Sequence, residues 1–152
     1  MDNTRYSPMI ICTAAGLMIA ACSGTRPVNL GVTNGRLAPC PSSPNCVSSQ
    51  SSDPDHAVAA LYYTSSPAEA MAKLKRIMQA MPRTLIVTET PAYLHVEFTS
   101  AILRFVDDVE FSLDGSTRSI NVRSASRLGK SDLGVNRKRV EEIRAKWIAD
   151  AR

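Results

Sequence analysis

Hydrophobic and polar residues alternate through much of the second half of the chain, a pattern typical of β-strands that bury one face. The more apolar face of residues 104–113 carries Phe105, Asp107, Val109, Phe111 and Leu113. Asp114 and Gly115 then supply turn residues, and residues 119–125 alternate again. The sequence therefore predicts a β-hairpin over residues 104–125.

The register of this hairpin follows from a loop at residues 114–117. It places Phe111 opposite Ile120 and Asp108 opposite Arg123. The second pair predicts a cross-strand ion pair on the outer face of the sheet. We expect that face to be solvated, because one face of an antiparallel sheet is often exposed to water.

Asp107 lies in the middle of the apolar face. A buried carboxylate without a partner is costly, so this side chain requires a hydrogen-bond donor. The sequence offers Ser124 on the opposite strand and the arginines of the loop that follows.

Two helices are predicted from apolar positions spaced three and four residues apart. The first begins with a capping box from Ser66 to Glu69. Its apolar stripe consists of Ala70, Met71, Leu74, Ile77, Met78 and Met81. For the second helix we expect Asn136 as the N-cap, with Ser131 and Asp132 as earlier alternatives. Its apolar stripe consists of Val140, Ile143, Trp147 and Ile148.

Three further strands complete the predicted fold. Residues 56–64 predict one strand, and residues 84–88 and 93–99 predict a second hairpin. The element order is then β-α-β-β-β-β-α. Strands with one apolar face and helices with one apolar stripe require two-layer packing. The fold class is therefore α+β: an antiparallel sheet of four to five strands with two helices packed on one face.

The outer face of this sheet is predicted to carry a row of charged side chains. If Phe98 pairs with Phe105, His95 lies opposite Asp108, and Arg123 continues the row on the next strand. Such a row could orient a base or bind an anion. The simpler interpretation, which we favour, is a solvated ladder of charges.

Residues 1–21 have the pattern of a bacterial lipoprotein signal peptide. Arg5 gives a positive start, and residues 9–21 form an apolar run that is too short to span a bilayer. The run ends with IAAC at residues 19–22, which resembles the bacterial lipobox. We therefore expect Cys22 to be acylated and to become the mature N-terminus. The alternative is an ordinary signal peptide with a cysteine near its cleavage site.

Lipidation predicts where the protein is located, because acyl chains on Cys22 would hold it on a membrane. Ser23 follows the cysteine, which resembles outer-membrane sorting in enteric-type bacteria. We expect the protein in the cell envelope, on the periplasmic face of the outer membrane. Residues 22–36 lack an apolar period and predict a flexible tether. Residues 37–152 then form a single domain.

Cys40 and Cys46 lie in the proline-rich stretch PCPSSPNC. Outside the cytoplasm such a pair most simply forms a disulfide, which we predict here. A metal site is less favoured, because His56 and His95 are the only histidines. A catalytic thiol at Cys46 would need a neighbouring base. We predict neither a metal nor a cofactor.

Arginines gather where the last strand meets the second helix. Arg137 and Arg139 in the first helical turn oppose the helix dipole, so we expect them to have anionic partners. The candidate residues for binding an anion or a partner are Asp107, Asp108, Arg123, Ser124, Ser126, Arg127, Asp132, Asn136, Arg137 and Arg139. The alternative, which we favour for these side chains, is that Arg127 and Arg137 only tie the loop to Asp107 and Asp132.

Three separated motifs carry a family resemblance: PCPSSPNCVSSQ from residue 39, RFVDDVEFSLD from residue 104 and VRSASRLGKSDLGVNRKRVEEIR from residue 122. In this order they resemble the domain-of-unknown-function 1499 family over residues 37–152. The resemblance implies a small bacterial envelope domain, often a lipoprotein. It implies no activity, because the family offers no established catalytic residues to carry over.

Two classes of function follow, and a purely structural role at the envelope is a third alternative. The favoured one is a lipid-anchored envelope module that binds an anionic small molecule, a lipid headgroup, a glycan or an envelope protein through the Arg123–Arg139 loop. The alternative is a hydrolase-type enzyme using Ser124, Ser126, His95 or Cys46. Scarce histidines and the lack of a Gly-x-Ser-x-Gly motif argue against that enzyme. The small, dispersed net charge of +4 argues against nucleic acid as a partner.

Overall fold

The computed structural model describes residues 23–150, so the predicted leader and Cys22 lie outside the described residues. The elements follow one another as β1 (Val32–Thr33), β2 (Arg36–Leu37), β3 (Cys46–Ser48), β4 (Leu61–Tyr62), α1 (Pro67–Ala80), β5 (Thr84–Thr90), β6 (Tyr93–Thr99), β7 (Val106–Asp114), β8 (Ser119–Ser126) and α2 (Val135–Ala149).

Six of these strands form one antiparallel sheet in the order β3-β8-β7-β6-β5, and β4 also pairs with β8. Strands β1 and β2 form a separate two-stranded sheet. The α+β class is confirmed, although the main sheet has more strands than predicted. The predicted strand at residues 56–64 is reduced to Leu61–Tyr62, and the added strand β3 has three residues.

Both helices pack on the inner face of the sheet and enclose the core. The core side chains that β6, β7 and β8 contribute are Leu94, Val96, Phe98, Val109, Phe111, Ile120 and Val122. Helix α2 adds Val140, Ile143 and Trp147, whereas Ile148 is 57% exposed, which corrects its predicted burial. None of the described helices is long and apolar enough to cross a membrane.

The two helices begin in different ways. In α1 the predicted capping box is confirmed, because Ser66 Oγ accepts from Glu69 N and Glu69 Oε2 accepts from Ser66 N. The prediction of Asn136 as the N-cap of α2 is wrong. The helix begins after Gly134, which has φ 79°. The Asp132 carboxylate accepts from Gly134 N at 3.0 Å and Asn136 N at 2.7 Å, so it satisfies N–H groups at this helix end.

The β7–β8 hairpin has the predicted faces but a register shifted by two residues. Strand pairing continues to Asp114 and Ser119, and Phe111 lies opposite Val122. Asp108 therefore faces Ala125, not the predicted Arg123. A shift of two residues leaves each side chain on its own face, so the apolar pattern could not distinguish the two registers.

Residues 23–45, here called the N-terminal arm, cover the outer face of the sheet. The arm includes β1 and β2, and Gly31 N donates to Glu110 Oε1 on β7 at 2.7 Å. Leu37 is buried against the sheet. These contacts differ from the flexible spacer that the sequence predicts for residues 22–36, because a stretch without apolar periodicity can still pack through its backbone and single side chains.

The predicted disulfide joins Cys40 in the arm to Cys46 at the start of β3, with 5.6 Å between their Cα atoms. Cys46 is buried and lies opposite Ala125 of β8. The bond therefore fastens the end of the arm to the edge of the sheet.

Replacement of both cysteines by serine should lower the free energy of unfolding by about 2 kcal/mol, because the bond closes a short loop of the unfolded chain. Urea unfolding with and without dithiothreitol measures this effect. Reductant should lower the midpoint of the wild-type protein to that of the double variant and leave the double variant unchanged. A wild-type midpoint that does not respond to reductant contradicts the prediction.

Candidate functional site

Arg127 bridges two carboxylates on neighbouring strands beneath the N-terminal arm. Its Nε and Nη2 donate to the two oxygens of Asp108 at 2.8 and 2.7 Å. Nη2 also donates to Glu97 on β6, which in turn accepts from Arg26 of the arm. The side chains of Asp108 and Arg127 are 1% and 6% exposed. A bidentate guanidinium–carboxylate pair is thus buried in the outer face.

His95 completes this cluster on the side of β6. Its Nε2 lies 2.8 Å from Asp108 Oδ1, and because a carboxylate only accepts, the proton of this bond is on Nε2. The two side chains are thus in contact, but the predicted β6–β7 register is wrong. Phe98 lies opposite Asp107 and not Phe105, so His95 lies opposite Glu110 and reaches Asp108 diagonally. The predicted continuation to Arg123 is wrong, since the register places Arg123 opposite Glu110. The prediction of a solvated ladder is also wrong, because His95 is only 2% exposed.

Glu110 forms a second buried cluster on the same face, and its side chain is fully enclosed. It accepts from Gly31 N at 2.7 Å, from the Tyr93 hydroxyl at 2.8 Å and from Arg123 Nη1 at 3.2 Å. Burial and the neighbouring Glu110 carboxylate raise the pKa of Tyr93. The arm is thereby attached to the sheet through a carboxylate that has three donors.

The charges of the first cluster stabilise one another. Burial raises the pKa of Asp108, but hydrogen bonds from Arg127 and His95 outweigh it, so the pKa lies below its usual value. The pKa of Glu97 is also lowered, because Arg127 and Arg26 outweigh the effect of burial. Hydrogen bonding to Asp108 and Glu97 raises the pKa of Arg127. All three groups are therefore held in their charged forms.

On the inner face, Arg139 of α2 provides the arginine partner that Asp107 requires. Arg139 Nη2 donates to Asp107 Oδ2 at 2.6 Å, and its guanidinium lies 4.9 Å from the centre of the Phe98 ring. Nη1 donates to Asn136 Oδ1 at 2.7 Å and to Ser124 Oγ at 3.1 Å. Asp107 is thus paired with an arginine of the helix, not of the loop.

Asn136 is fully buried where α2 meets β8. Its Oδ1 accepts from Ser124 Oγ at 2.6 Å, and its Nδ2 donates to Ser126 Oγ and to the Asn45 carbonyl. The side chain of Asn45 donates to the Gly129 carbonyl at 2.7 Å. This network fixes both ends of the loop between β8 and α2.

Arg137 and Asp132 lie outside these clusters. Arg137 donates to the carbonyls of Ala57 and Asp55, and Asp132 binds the N–H groups at the start of α2. The ten predicted binding residues therefore do not form one site. They divide between the outer-face clusters, the inner-face network around Asn136 and these two separate positions.

Three of the four predicted anion-binding arginines already have carboxylate partners within the described residues, and the fourth, Arg137, donates to backbone carbonyls. Arg123 pairs with Glu110, Arg127 with Asp108 and Glu97, and Arg139 with Asp107. The structural alternative for these arginines is thus the better description, although the partners differ from those expected. What remains accessible is the β8–α2 loop (residues 127–134), in which Leu128, Gly129, Lys130, Ser131, Leu133 and Gly134 are exposed.

The residues proposed for a hydrolase do not assemble into a catalytic site. Ser124 lies on the inner face and donates to Asn136, whereas His95 lies on the outer face and contacts Asp108. Cys46 is in the disulfide and carries no thiol. Ser126 accepts from Asn136, so it belongs to the network at the loop ends. Within residues 23–150 the geometry offers no nucleophile–base pair among these four residues.

A cleft of about 870 Å³ lies between the N-terminal arm and residues 48–56. His56 lines it, but its Nδ1 lies 2.8 Å from the Cys46 carbonyl, which gives it a structural contact. In the part of the chain that the structure describes, no three His, Cys, Asp or Glu side chains are grouped to hold a metal.

Sequence reasoning missed Glu97, Glu110 and Tyr93 as members of the buried clusters. The alternation of polar and apolar residues in β6 and β7 correctly assigned all three to the outer face of the sheet. That face, however, was expected to be solvated. It also missed the contributions of Arg26 and Gly31, which no local pattern indicated. Charged residues on one face of a strand are typical of a solvated face, so the alternation gave no signal that this face is covered.

The fold and its clusters define a small α+β domain whose charged outer face is closed by an N-terminal arm. The chain belongs to the family described as "Protein of unknown function (DUF1499)", which matches residues 36–147. No curated protein matches the chain. The family assignment agrees with the resemblance carried by the three sequence motifs.

Substitution of Asp108 by asparagine should lower the free energy of unfolding by roughly 3 kcal/mol, because it removes one partner of a buried ion pair. The matched control is Glu89→Gln, which breaks an exposed pair with Lys75 and should change stability by less than about 1 kcal/mol. Urea unfolding at neutral pH measures both effects. Equal stability of the two variants would show that the cluster contributes little.

Acid should destabilise the protein through the same cluster. Asp108 and Glu97 have lowered pKa values in the folded state, so their stabilisation is complete above their unfolded pKa values and is lost as pH falls through the folded ones. We expect the unfolding free energy to fall below about pH 4. Asp108→Asn should weaken this dependence, whereas Glu89→Gln serves as control. The test is to measure the urea midpoints of the wild type and both variants from pH 7 to pH 3. If the midpoint of Asp108→Asn falls with pH as steeply as that of the wild type, the prediction is contradicted.

Proposed function

We propose that the protein is a lipid-anchored component of the cell envelope, held by acyl chains on Cys22 at the periplasmic face of the outer membrane. The observation that carries this proposal is the disulfide between Cys40 and Cys46. Disulfides form and persist in oxidising compartments and are rare in the cytosol. The lipobox-like sequence at residues 19–22 supplies the attachment site.

The domain itself acts as a binding module, not as an enzyme, and the β8–α2 loop is its contact region. Two arginines flank this loop, and each is held by an aspartate of β7: Arg127 by Asp108 and Arg139 by Asp107. The guanidinium groups therefore position the loop. The exposed side chains between Arg127 and Arg139 then contact the partner; they include Leu128, Lys130 and Leu133.

This assignment modifies the anion-binding hypothesis. An anionic small molecule, a glycan or an envelope protein would meet Lys130 and the apolar side chains of the loop before it reached any buried arginine. Competition with internal carboxylates at 2.6 to 2.8 Å disfavours direct binding of a free anion by Arg127 or Arg139.

Acylation of Cys22 predicts a defined mass at the mature N-terminus. Protein purified from membranes with detergent should yield an N-terminal peptide that begins at Cys22 and carries acyl mass. Cys22→Ser should abolish that species, because serine provides no thiol for lipid attachment. Cys12→Ser is the matched control, since Cys12 lies in the predicted leader, and it should leave the mature peptide unchanged.

Peptide mass spectrometry of the three proteins decides between the two interpretations of the leader. A wild-type peptide with an unmodified Cys22, or a mature chain that begins at another residue, supports an ordinary signal peptide and removes the anchor from the proposal.

A further inference from the structure

Exposed apolar side chains are concentrated in two loops of the domain. Six of the eleven large hydrophobic side chains exposed in the described residues lie in the β6–β7 loop or near the β8–α2 loop. They are Ile102 (88% exposed), Leu103 (62%), Phe105 (40%), Leu128 (45%), Leu133 (95%) and Val135 (47%). Scattered apolar residues on a surface are ordinary, but a concentration of this kind indicates a contact surface.

The two loops lie at the same end of the sheet. Strand β7 begins where β8 ends, because Asp107 lies opposite Ser126 and Arg127 N donates to the Val106 carbonyl at 3.3 Å. The β6–β7 loop leads into this point, and the β8–α2 loop leads away from it. We call these two loops, residues 100–105 and 127–134, together with Val135 at the start of α2, the apolar end.

Leu133 is the most exposed of the six and has a backbone conformation that leucine rarely adopts. Its φ is 54°, in the left-handed region, where a bulky side chain is strained. Hydrogen bonds to the Ser131 and Asp132 side chains hold the turn around it. The domain thus holds an apolar side chain outward in a strained turn without gaining burial from it.

The N-terminal arm starts at the apolar end. Gly24 packs so closely there that a Cβ placed on it would lie 2.9 Å from Arg127 Cβ and 3.0 Å from Leu128 Cγ. Cys22 precedes Gly24 by two residues, which span at most about 7 Å. Acyl chains on Cys22 would therefore be attached within that distance of Gly24.

Two exposed cations lie within the apolar end. Arg104 lies between Leu103 and Phe105, and Lys130 lies between Leu128 and Leu133; both are exposed. Apolar side chains flanked by exposed cations match the interface of a bilayer that contains anionic phospholipids, in which acyl chains lie beneath negative headgroups.

We propose that the apolar end docks onto the anionic phospholipid surface of the membrane that carries the anchor, with Leu133 and Ile102 inserted at the level of the upper acyl chains. This inference rests on the proposed acylation of Cys22. It identifies the partner of the β8–α2 loop as a lipid surface. Docking fixes the orientation of the domain, because the anchor and the two loops then contact one plane.

The test uses the full chain, purified with its acyl group and reconstituted into vesicles. A tryptophan is introduced at position 133 (Leu133→Trp) or, as the matched control, at position 115 (Gly115→Trp). Gly115 lies in the β7–β8 turn at the opposite end of the same strands, where an added Cβ atom would have no heavy atom within 4 Å. The native Trp147 is 6% exposed and gives a constant background.

Vesicles of phosphatidylethanolamine and phosphatidylglycerol that contain brominated lipid should quench the tryptophan at position 133 roughly twofold and leave the one at position 115 unquenched. Phosphatidylcholine vesicles should give weaker quenching at position 133. Arg104→Ser with Lys130→Ser should remove that difference between the two lipid mixtures, because it removes the flanking charges. Equal thermal midpoints of the variants establish that the fold is retained.

Several outcomes overturn the proposal. Acylated protein without quenching at position 133, or with equal quenching at both positions, excludes docking and leaves the anchor intact. The emission of Leu133→Trp could also shift when the protein is concentrated in the absence of vesicles. That result would show that the apolar end contacts a second copy of the chain and not a membrane. A mature peptide without acyl mass removes the anchor itself, and the inference fails with it.

Discussion

The bidentate contact between Arg127 and Asp108 is the interaction on which the outer half of this domain depends. Asp108, Glu97 and Glu110 place three carboxylates on one face of the sheet, and the N-terminal arm closes over them. Carboxylates withdrawn from water are tolerated only where cations and donors replace the lost hydration. Arg127 serves two of the three carboxylates, so closure of the arm and pairing of Arg127 are parts of one arrangement.

The same interaction has a counterpart on the inner face. Asp107 and Asp108 are consecutive in β7 and therefore point to opposite faces of the sheet. Arg139 binds the first and Arg127 binds the second, and these arginines flank the β8–α2 loop. The loop is thus fastened to both sides of one strand. This arrangement explains how a polar, glycine-containing stretch can hold Leu133 in a strained and exposed conformation.

The parts of this arrangement that depend on local chemistry could be predicted from the sequence. The capping box at Ser66 needs only four consecutive residues, and the need of Asp107 for an arginine follows from its place on an apolar face. The register of the β7–β8 hairpin could not be predicted, because a shift of two residues preserves both faces. The burial of His95 could not be predicted either, since the residues that cover it belong to an arm whose composition resembles a spacer.

The arm therefore links the two halves of the proposed function. It starts against Leu128, reaches the buried carboxylates through Arg26 and Gly31, and ends at the disulfide. Lifting the arm from the sheet would expose Glu97 and Glu110 and separate each from one of its donors. A force applied at residue 22 by a membrane anchor would thus act first on the contacts of Gly24 and then on the ion pairs. Contact between the apolar end and the bilayer would reduce that force, because the start of the arm would then lie at the membrane surface and the anchor would not pull on it.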